Sequence, residues 1–171
     1  MIQHVLARLT GLGDETLITS NNPDELDFLD LPIVSDEEPG AGALWGLHTA
    51  LRNARGDSVL IVACDMPFIN RLLLEHLVDL APKADVVVPR WNDRYQTMQT
   101  VYARKKCLKA VEDALEQGDR RMISFYPQVK VRIVSPEEVN EFDPTGRSFF
   151  NVNTPEDLIE AERLIAQARG A

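Results

Sequence analysis

Five consecutive apolar residues, Val59-Leu60-Ile61-Val62-Ala63, run into Cys64-Asp65 and then Met66-Pro67-Phe68. An unbroken, mostly β-branched run without polar alternation reads as a strand buried on both faces. Such strands belong to parallel sheets covered by helices, which places the chain in the α/β class. In open α/β sheets ligands bind beyond the carboxyl ends of the strands, so Asp65 stands where a metal or substrate would be held. A free carboxylate there is a hard oxygen ligand for a cation such as Mg²⁺. The competing reading is a turn-forming aspartate close to a proline.

The rest of the chain alternates helix and strand. Ile2, Val5, Leu6 and Leu9 recur at helical spacing on one face, and Gly11 and Gly13 close that helix. Residues 15–20 and 31–34 read as short strands separated by an Asn21-Asn22-Pro23-Asp24 turn, with an acidic loop over 35–42 behind them. A helix over 43–54 leads into the Val59 strand. Beyond it the pattern predicts helices over 71–80 and 107–117 and strands at 85–89, 100–102 and 129–134. The final helix runs from 155 to about 168, with Thr154 as N-cap, Pro155 at the first position and Asp157 at the third. With no repeat and no linker, residues 1–171 read as a single domain.

A chain of 171 residues can bury one sizeable core. Its net charge of −9 argues against general nucleic-acid affinity, which needs a basic face. No apolar run approaches the length of a membrane helix and no secretory pattern leads the chain, so a cytoplasmic protein without membrane contact is expected. Cys64 and Cys107 are far apart, and Cys64, closing a buried strand, is expected to be an inert core thiol. His4, His48 and His76 are scattered; no Ser/His/Asp arrangement, zinc spacing or Walker loop can be read.

Three further segments could carry chemistry. Pro39-Gly40-Ala41-Gly42-Ala43-Leu44-Trp45-Gly46 opens a helix; its glycines would let a flat ligand approach the backbone, and a helix start favours negative charge. It also reads as a plain flexible loop, and Trp45 as either a stacking or a packing residue. Gly118-Asp119-Arg120-Arg121 sets two guanidiniums after a helix end, suited to phosphate or carboxylate, or to an ordinary surface salt bridge. In Phe149-Phe150-Asn151-Val152-Asn153-Thr154, Asn151 and Asn153 would share one side of an extended segment and converge on a ligand, unless Asn153 only serves the turn.

In order and spacing, Gly42-Ala43-Leu44-Trp45-Gly46-Leu47, Cys64-Asp65-Met66-Pro67-Phe68, Gly118-Asp119-Arg120-Arg121 and Asn151-Val152-Asn153-Thr154-Pro155-Glu156-Asp157 resemble the motifs of the molybdenum cofactor guanylyltransferases, the molybdopterin-guanine dinucleotide biosynthesis protein A family. Gln96 through Tyr102 resembles that family's intervening strand. The resemblance implies a doubly wound, mostly parallel α/β fold of the nucleotide-diphospho-sugar-transferase, Rossmann-like type. It implies a nucleotidyltransferase that moves GMP from GTP to molybdopterin-type cofactor with Mg²⁺, releasing pyrophosphate. Partners would be GTP, that cofactor, and proteins of molybdenum insertion or molybdoenzyme maturation. By the same resemblance Asp65 is the catalytic metal ligand, and Gly42, Leu44 and Gly46 contact the guanine. Arg120 and Arg121, as catalytic residues, would lie on the pterin-phosphate side with Asn151 and Asn153.

The family begins with a strand and a Leu-x-Gly-Gly-x-Ser-x-Arg-Met-Gly-x-Asp-Lys signature, ahead of the helix that opens here at Ile2. Neither is present, so residues 1–171 are expected to be an N-terminally incomplete domain, missing its first strand and phosphate loop and opening at an internal methionine of a longer protein. Loss of a central strand leaves unpaired edges and a gap in the core, at an expected cost several times a domain stability of roughly 5–15 kcal/mol. The chain as given is therefore expected to show negligible transferase activity. Ala43 replaces the family's usual proline and Trp45 its usual small residue, which leaves cytidylyl transfer open as an alternative product chemistry. A non-catalytic cofactor-binding or partner protein is the alternative from another class.

Overall fold

The structure, a computed structural model, describes residues 1–38 and 40–169. In chain order its elements are α1 (Ile2–Leu9), β1 (Ile18–Thr19), β2 (Ile33–Val34), α2 (Ala43–Asn53), β3 (Ser58–Val62), α3 (Arg71–Leu80), β4 (Val86–Trp91), β5 (Arg94–Tyr95), β6 (Gln99–Ala103), α4 (Arg104–Glu116), β7 (Val131–Val134), α5 (Pro136–Asn140) and α6 (Pro155–Arg169).

Alternation along the buried strands builds three layers. On β3, Val59 and Ile61 face a cluster with Leu47 and Leu51 of α2 and Val111 of α4, whereas Leu60 and Val62 face Val5 of α1 and Leu73 and Leu77 of α3. On β4, Val86 and Val88 join the first cluster and Val87 the second. Helices therefore cover both sides of the sheet, as the unbroken apolar run of residues 59–63 requires.

The main sheet has the order β3-β6-β4-β5, with β7 on the other side of β4, and β1-β2 form a separate two-stranded sheet. β3 and β4 each pair antiparallel with β6, so they run the same way as each other, and β7 pairs parallel with β4. The α/β class holds, but the expected mostly parallel sheet is corrected: three of the four pairings in the main sheet are antiparallel, because β6 is inserted in reverse between β3 and β4 and β5 folds back on β4 as a hairpin. That insertion has a consequence for the site: the register Val62↔Gln99 puts the start of β6 beside the carboxyl end of β3.

Several local expectations needed correction. Residues 15–20 contribute only the two-residue β1, and Pro23–Leu29 is a 3₁₀ segment rather than a bare turn. α4 starts at Arg104, three positions before the expected boundary. The β4–β5 hairpin turns on Asn92 and Asp93, both at positive φ, a two-residue connection that the sequence reading passed over. α5 was also missed, although Ser135 and Glu138 form a reciprocal capping box around Pro136. The expected start of α6 is borne out: Asp157 accepts from the Thr154 amide at 2.9 Å and donates its own amide to Thr154 Oγ1 at 3.2 Å. No described helix is long and apolar enough to cross a membrane.

Candidate active site

Asp65 lies just beyond the carboxyl end of β3, and the structure clips it to the Asn151 segment in three ways. The Val152 amide donates to the Asp65 carbonyl at 2.9 Å. Phe68 and Phe150 meet edge to face with centroids 5.9 Å apart. Beneath both segments, the fully buried Gln99 donates from Nε2 to Met66 Sδ at 3.1 Å and to the Ser148 carbonyl. Gln99 is a structural tie that sequence reasoning overlooked. Its only signal was a polar residue at the start of an apolar strand, and its importance depends on β6 running backwards.

The loop that delivers Asn151 is itself heavily braced. Asp143 accepts from the Ser148 amide at 2.7 Å, from the Ser148 hydroxyl and from Thr145 Oγ1 at 3.0 Å. Burial alone would push the Asp143 carboxyl up; the hydrogen bonds from Ser148 and Thr145 outweigh it and hold the group below the usual carboxylate range. Gly146 turns at φ +65°, and a Cβ there would overlap the indole of Trp91, which packs on Phe149.

Three buried oxygens at this junction have no hydrogen-bond partner: Gln99 Oε1 beneath it, and Asp65 Oδ1 and Asn151 Oδ1 on the two segments it ties. Buried polar atoms are nearly always satisfied, so the Asp65 and Asn151 oxygens, on segments joined by the Val152–Asp65 backbone bond, are suited to a cation or a donor. Both are hard ligands of the kind divalent magnesium or manganese takes. Among the described residues no group of three or more His, Cys, Asp or Glu side chains could hold a metal. A cation at Asp65 and Asn151 would thus complete its shell with water and substrate oxygens, which is how Mg²⁺ is commonly bound at phosphate sites.

A cavity of about 1260 Å³ opens beside Asp65, and Gly40, Gly42 and Gly46 line it as well. Gly42 caps α2 at φ +105° and ψ 174°, a conformation essentially reserved for glycine. Gly46 is different: a Cβ added to it meets nothing within 4 Å, and its φ is not positive. An interior helix glycine costs about 0.8–1.0 kcal/mol relative to alanine, and neither packing nor backbone conformation accounts for this one. Pro39, at the head of the same motif, lies outside the described residues.

The remaining expected site residues sit elsewhere. Leu44 is fully buried in the core cluster beneath α2, which corrects its assignment as a base contact: its side chain cannot reach a ligand. Trp45 is half-buried and packs edge to face on His48 with centroids 5.3 Å apart. Arg121 is engaged by Asp119, at 3.0 Å through Nε and 2.5 Å through Nη2, and that guanidinium holds the Asp119 carboxyl down at about 2. Arg120 is exposed beside it; only the next side chain, Met122, lines the cavity. Asn153 is exposed while Asn151 turns inward, so the two amides do not share one buried face. Cys64, expected in the core, is exposed, because β3 ends at Val62 and the chain has already left the sheet; Cys107 is the buried thiol.

The chain is similar to known proteins along most of its length. The description "MobA-like NTP transferase domain" matches residues 1–131. A protein of Pelotomaculum thermopropionicum named "Probable molybdenum cofactor guanylyltransferase" is 36% identical over 169 residues, covering 99% of this chain and 82% of its own. The "Molybdenum cofactor guanylyltransferase" of Desulfosudis oleivorans is 31% identical, covering 99% of this chain and 84% of its own. The solved molybdopterin-guanine dinucleotide biosynthesis protein A of Archaeoglobus fulgidus superposes with a TM-score of 0.81 at 28% identity, over 97% of this chain and 85% of that one. A cytidylyltransferase structure from Thermus thermophilus, at 18% identity and a TM-score of 0.71, shares the fold. The chain belongs to the MobA-like nucleotidyltransferases, with their Rossmann-like α/β fold.

Proposed function

We propose that this chain is a molybdenum cofactor guanylyltransferase, joining the GMP moiety of GTP to a molybdopterin-type cofactor in the cytoplasm. The observation that carries the site assignment is the unpartnered Asp65 Oδ1 in the cavity that Gly42 and Gly46 also line, with the unpartnered Asn151 Oδ1 on the segment bonded to Asp65 through the Val152 amide. The names of the relatives support the guanylyl product.

In the reaction an oxygen of the cofactor's terminal phosphate attacks the α-phosphorus of GTP. The bond from that phosphorus to the bridging oxygen breaks, and pyrophosphate leaves with the electron pair. Phosphoryl chemistry of this kind asks little covalent help of the protein, so positioning and charge neutralisation carry the rate. Gly42 and Gly46 let the base lie against the backbone of α2, and the first-turn amides of that helix face negative charge. Asp65 and Asn151 would hold a divalent cation, Mg²⁺ in the cell, which when bound offsets charge on phosphate oxygens. Gln99 and the Asp143–Ser148 bracing act as positioning groups, keeping Asn151 at Asp65. By the resemblance, Arg120 and Arg121 would meet the second phosphate-bearing substrate, Arg121 after releasing Asp119.

The test is metal binding, followed through Mn²⁺ as a spectroscopic stand-in and paired with pyrophosphate release from GTP. Asp65→Ala and Asn151→Ala should each weaken Mn²⁺ binding at least about tenfold, which is about 1.4 kcal/mol, with the circular dichroism spectrum unchanged. An Asp65→Ala protein that kept full metal affinity would remove this carboxylate from the metal site.

A further inference from the structure

A second cavity, of about 270 Å³, shares no lining residue with the large one. The two lie on opposite faces of α2: Gly46, Leu47 and Ala50 turn to the large cavity and His48, Thr49 and Arg52 to the small one, as the 3.6-residue period dictates. The segment after β2 divides in the same way, with Asp36 in the wall of the large cavity and its neighbours Ser35 and Glu37 in the wall of the small one. Two side chains around the small cavity are buried and carry a polar atom without a partner. His48 is 4% exposed and Thr49 3%, and neither His48 Nδ1 nor Thr49 Oγ1 makes a hydrogen bond. A threonine inside a helix can satisfy its hydroxyl on the carbonyl one turn back; that of Thr49 does not. Polar atoms kept buried and unpaired weaken a fold, so two of them on one small cavity point to an occupant that bonds them.

The chemistry of the wall selects that occupant. His48 Nε2 faces Glu112 of α4 at 3.7 Å, so in the neutral imidazole the ring proton belongs on Nε2 and Nδ1 is left as an acceptor. The Thr49 hydroxyl can donate. Arg52 gives one arm of its guanidinium, Nη1, to Glu37 Oε1 at 2.9 Å, and the rest of that fork of donors is left for a second acceptor. A guanidinium and a hydroxyl in the wall disfavour a metal cation and favour the oxygens of an anion. The ring acceptor and the Glu37 carboxylate favour an anion that still carries a proton of its own. The volume lies below the roughly 300–1,000 Å³ of pockets that enclose drug-sized molecules, which excludes a nucleotide and suits a small ion. Hydrogen phosphate meets all of these demands. Its oxygens accept from Thr49 and Arg52 and its P–OH donates to His48 Nδ1.

We propose that the small cavity is a binding site for inorganic hydrogen phosphate, held by Thr49 and Arg52 and donating to His48 Nδ1. Sulfate has the same shape and charge but no proton, so it would leave Nδ1 unpaired and set bare negative charge against Glu37. A phosphate monoester above neutral pH is in the same position and carries a bulky substituent besides. A site built around a hydrogen bond rejects the analogue that lacks it, because the buried protein atom then goes unpaired. This inference stands on the cavity and its two unpartnered atoms, independently of the Asp65 metal site.

The experiment is calorimetric titration of the full chain at about pH 8, where an ordinary imidazole is neutral, without divalent metal and at fixed ionic strength. Phosphate should bind at one site per chain, and sulfate and glycerol phosphate at least about tenfold more weakly. Thr49→Val keeps the side-chain shape and removes the hydroxyl. It should weaken phosphate binding at least about tenfold while melting no lower than the parent in phosphate-free buffer, since an unpaired buried hydroxyl has been replaced by a methyl group. Arg52→Gln, at an exposed position that does not threaten the fold, should lose phosphate affinity to a similar degree. Asp65→Ala should bind phosphate as the parent does, which separates this site from the large cavity. Absence of phosphate binding would overturn the proposal and leave the cavity to water. So would equal affinity for sulfate, undiminished affinity in Thr49→Val or Arg52→Gln, or loss of affinity in Asp65→Ala.

Discussion

Replacing Gly46 with alanine separates the energetics of α2 from the use of its surface. Gly46 is the fourth of eleven residues in the helix, and a Cβ there meets no atom within 4 Å. The substitution should therefore gain the full propensity difference, about 0.8–1.0 kcal/mol, with no overpacking term against it. For a chain of this size a kilocalorie moves the melting temperature by about 2–4 °C, so Gly46→Ala should melt roughly 2–4 °C higher in thermal scans. The same methyl projects into the cavity that Asp65 lines. If a guanine base rests on the helix backbone there, the added carbon costs about 1–3 kcal/mol of overpacking, or roughly 5- to 150-fold in affinity for GTP in the presence of Mg²⁺. A titration of both proteins under identical conditions measures it. A lower melting temperature would refute the open space beside Gly46, and a raised one with unchanged GTP affinity would refute its role as a base contact.

Gly146→Ala should behave in the opposite way. Its positive φ of 65° costs about 1–2 kcal/mol for a residue with a Cβ, and displacing the Trp91 indole adds about 1–3 kcal/mol, so urea unfolding should show a loss of roughly 2–5 kcal/mol; an unchanged midpoint would contradict the packing described. Asp143 supplies a pH signature. Its carboxyl is held below the ordinary value of about 3.9, so its contribution is complete above that pH and disappears as pH falls through the lower folded value. Asp143→Asn should be less stable near neutrality and should flatten the stability profile below about pH 4, which unfolding curves at several pH values would reveal. Parallel profiles for the two proteins would remove Asp143 from the acid-sensitive bracing.

Much of the fold and part of the site could be read from residue order. The Val59–Ala63 run demanded a strand covered on both faces, and Thr154, Pro155 and Asp157 announced the start of α6, because both signals are local: one is an alternation rule and the other a hydrogen-bonding arrangement within four residues. Asp65 and the glycines at 42 and 46 could be marked for the same reason, since strand ends and helix starts are where backbone geometry exposes polar groups. Leu44 was misjudged because the sequence places it between two cavity glycines, while the 3.6-residue period turns it into the core. Cys64 was misjudged because the run of apolar residues outlasts the strand.

What residue order could not decide is which segments meet. Nothing in the sequence predicts that β6 runs backwards between β3 and β4, yet that reversal brings Gln99 beneath Asp65 and Ser148. The junction of the Asp65 and Asn151 segments depends on a backbone hydrogen bond between residues 65 and 152, a contact with no local signature. The separation of Arg121 from that junction is likewise a tertiary fact, set by its bond to Asp119. Local chemistry selects the elements; long-range hydrogen bonding and burial, which must satisfy both edges and both faces of a sheet at once, decide what they build.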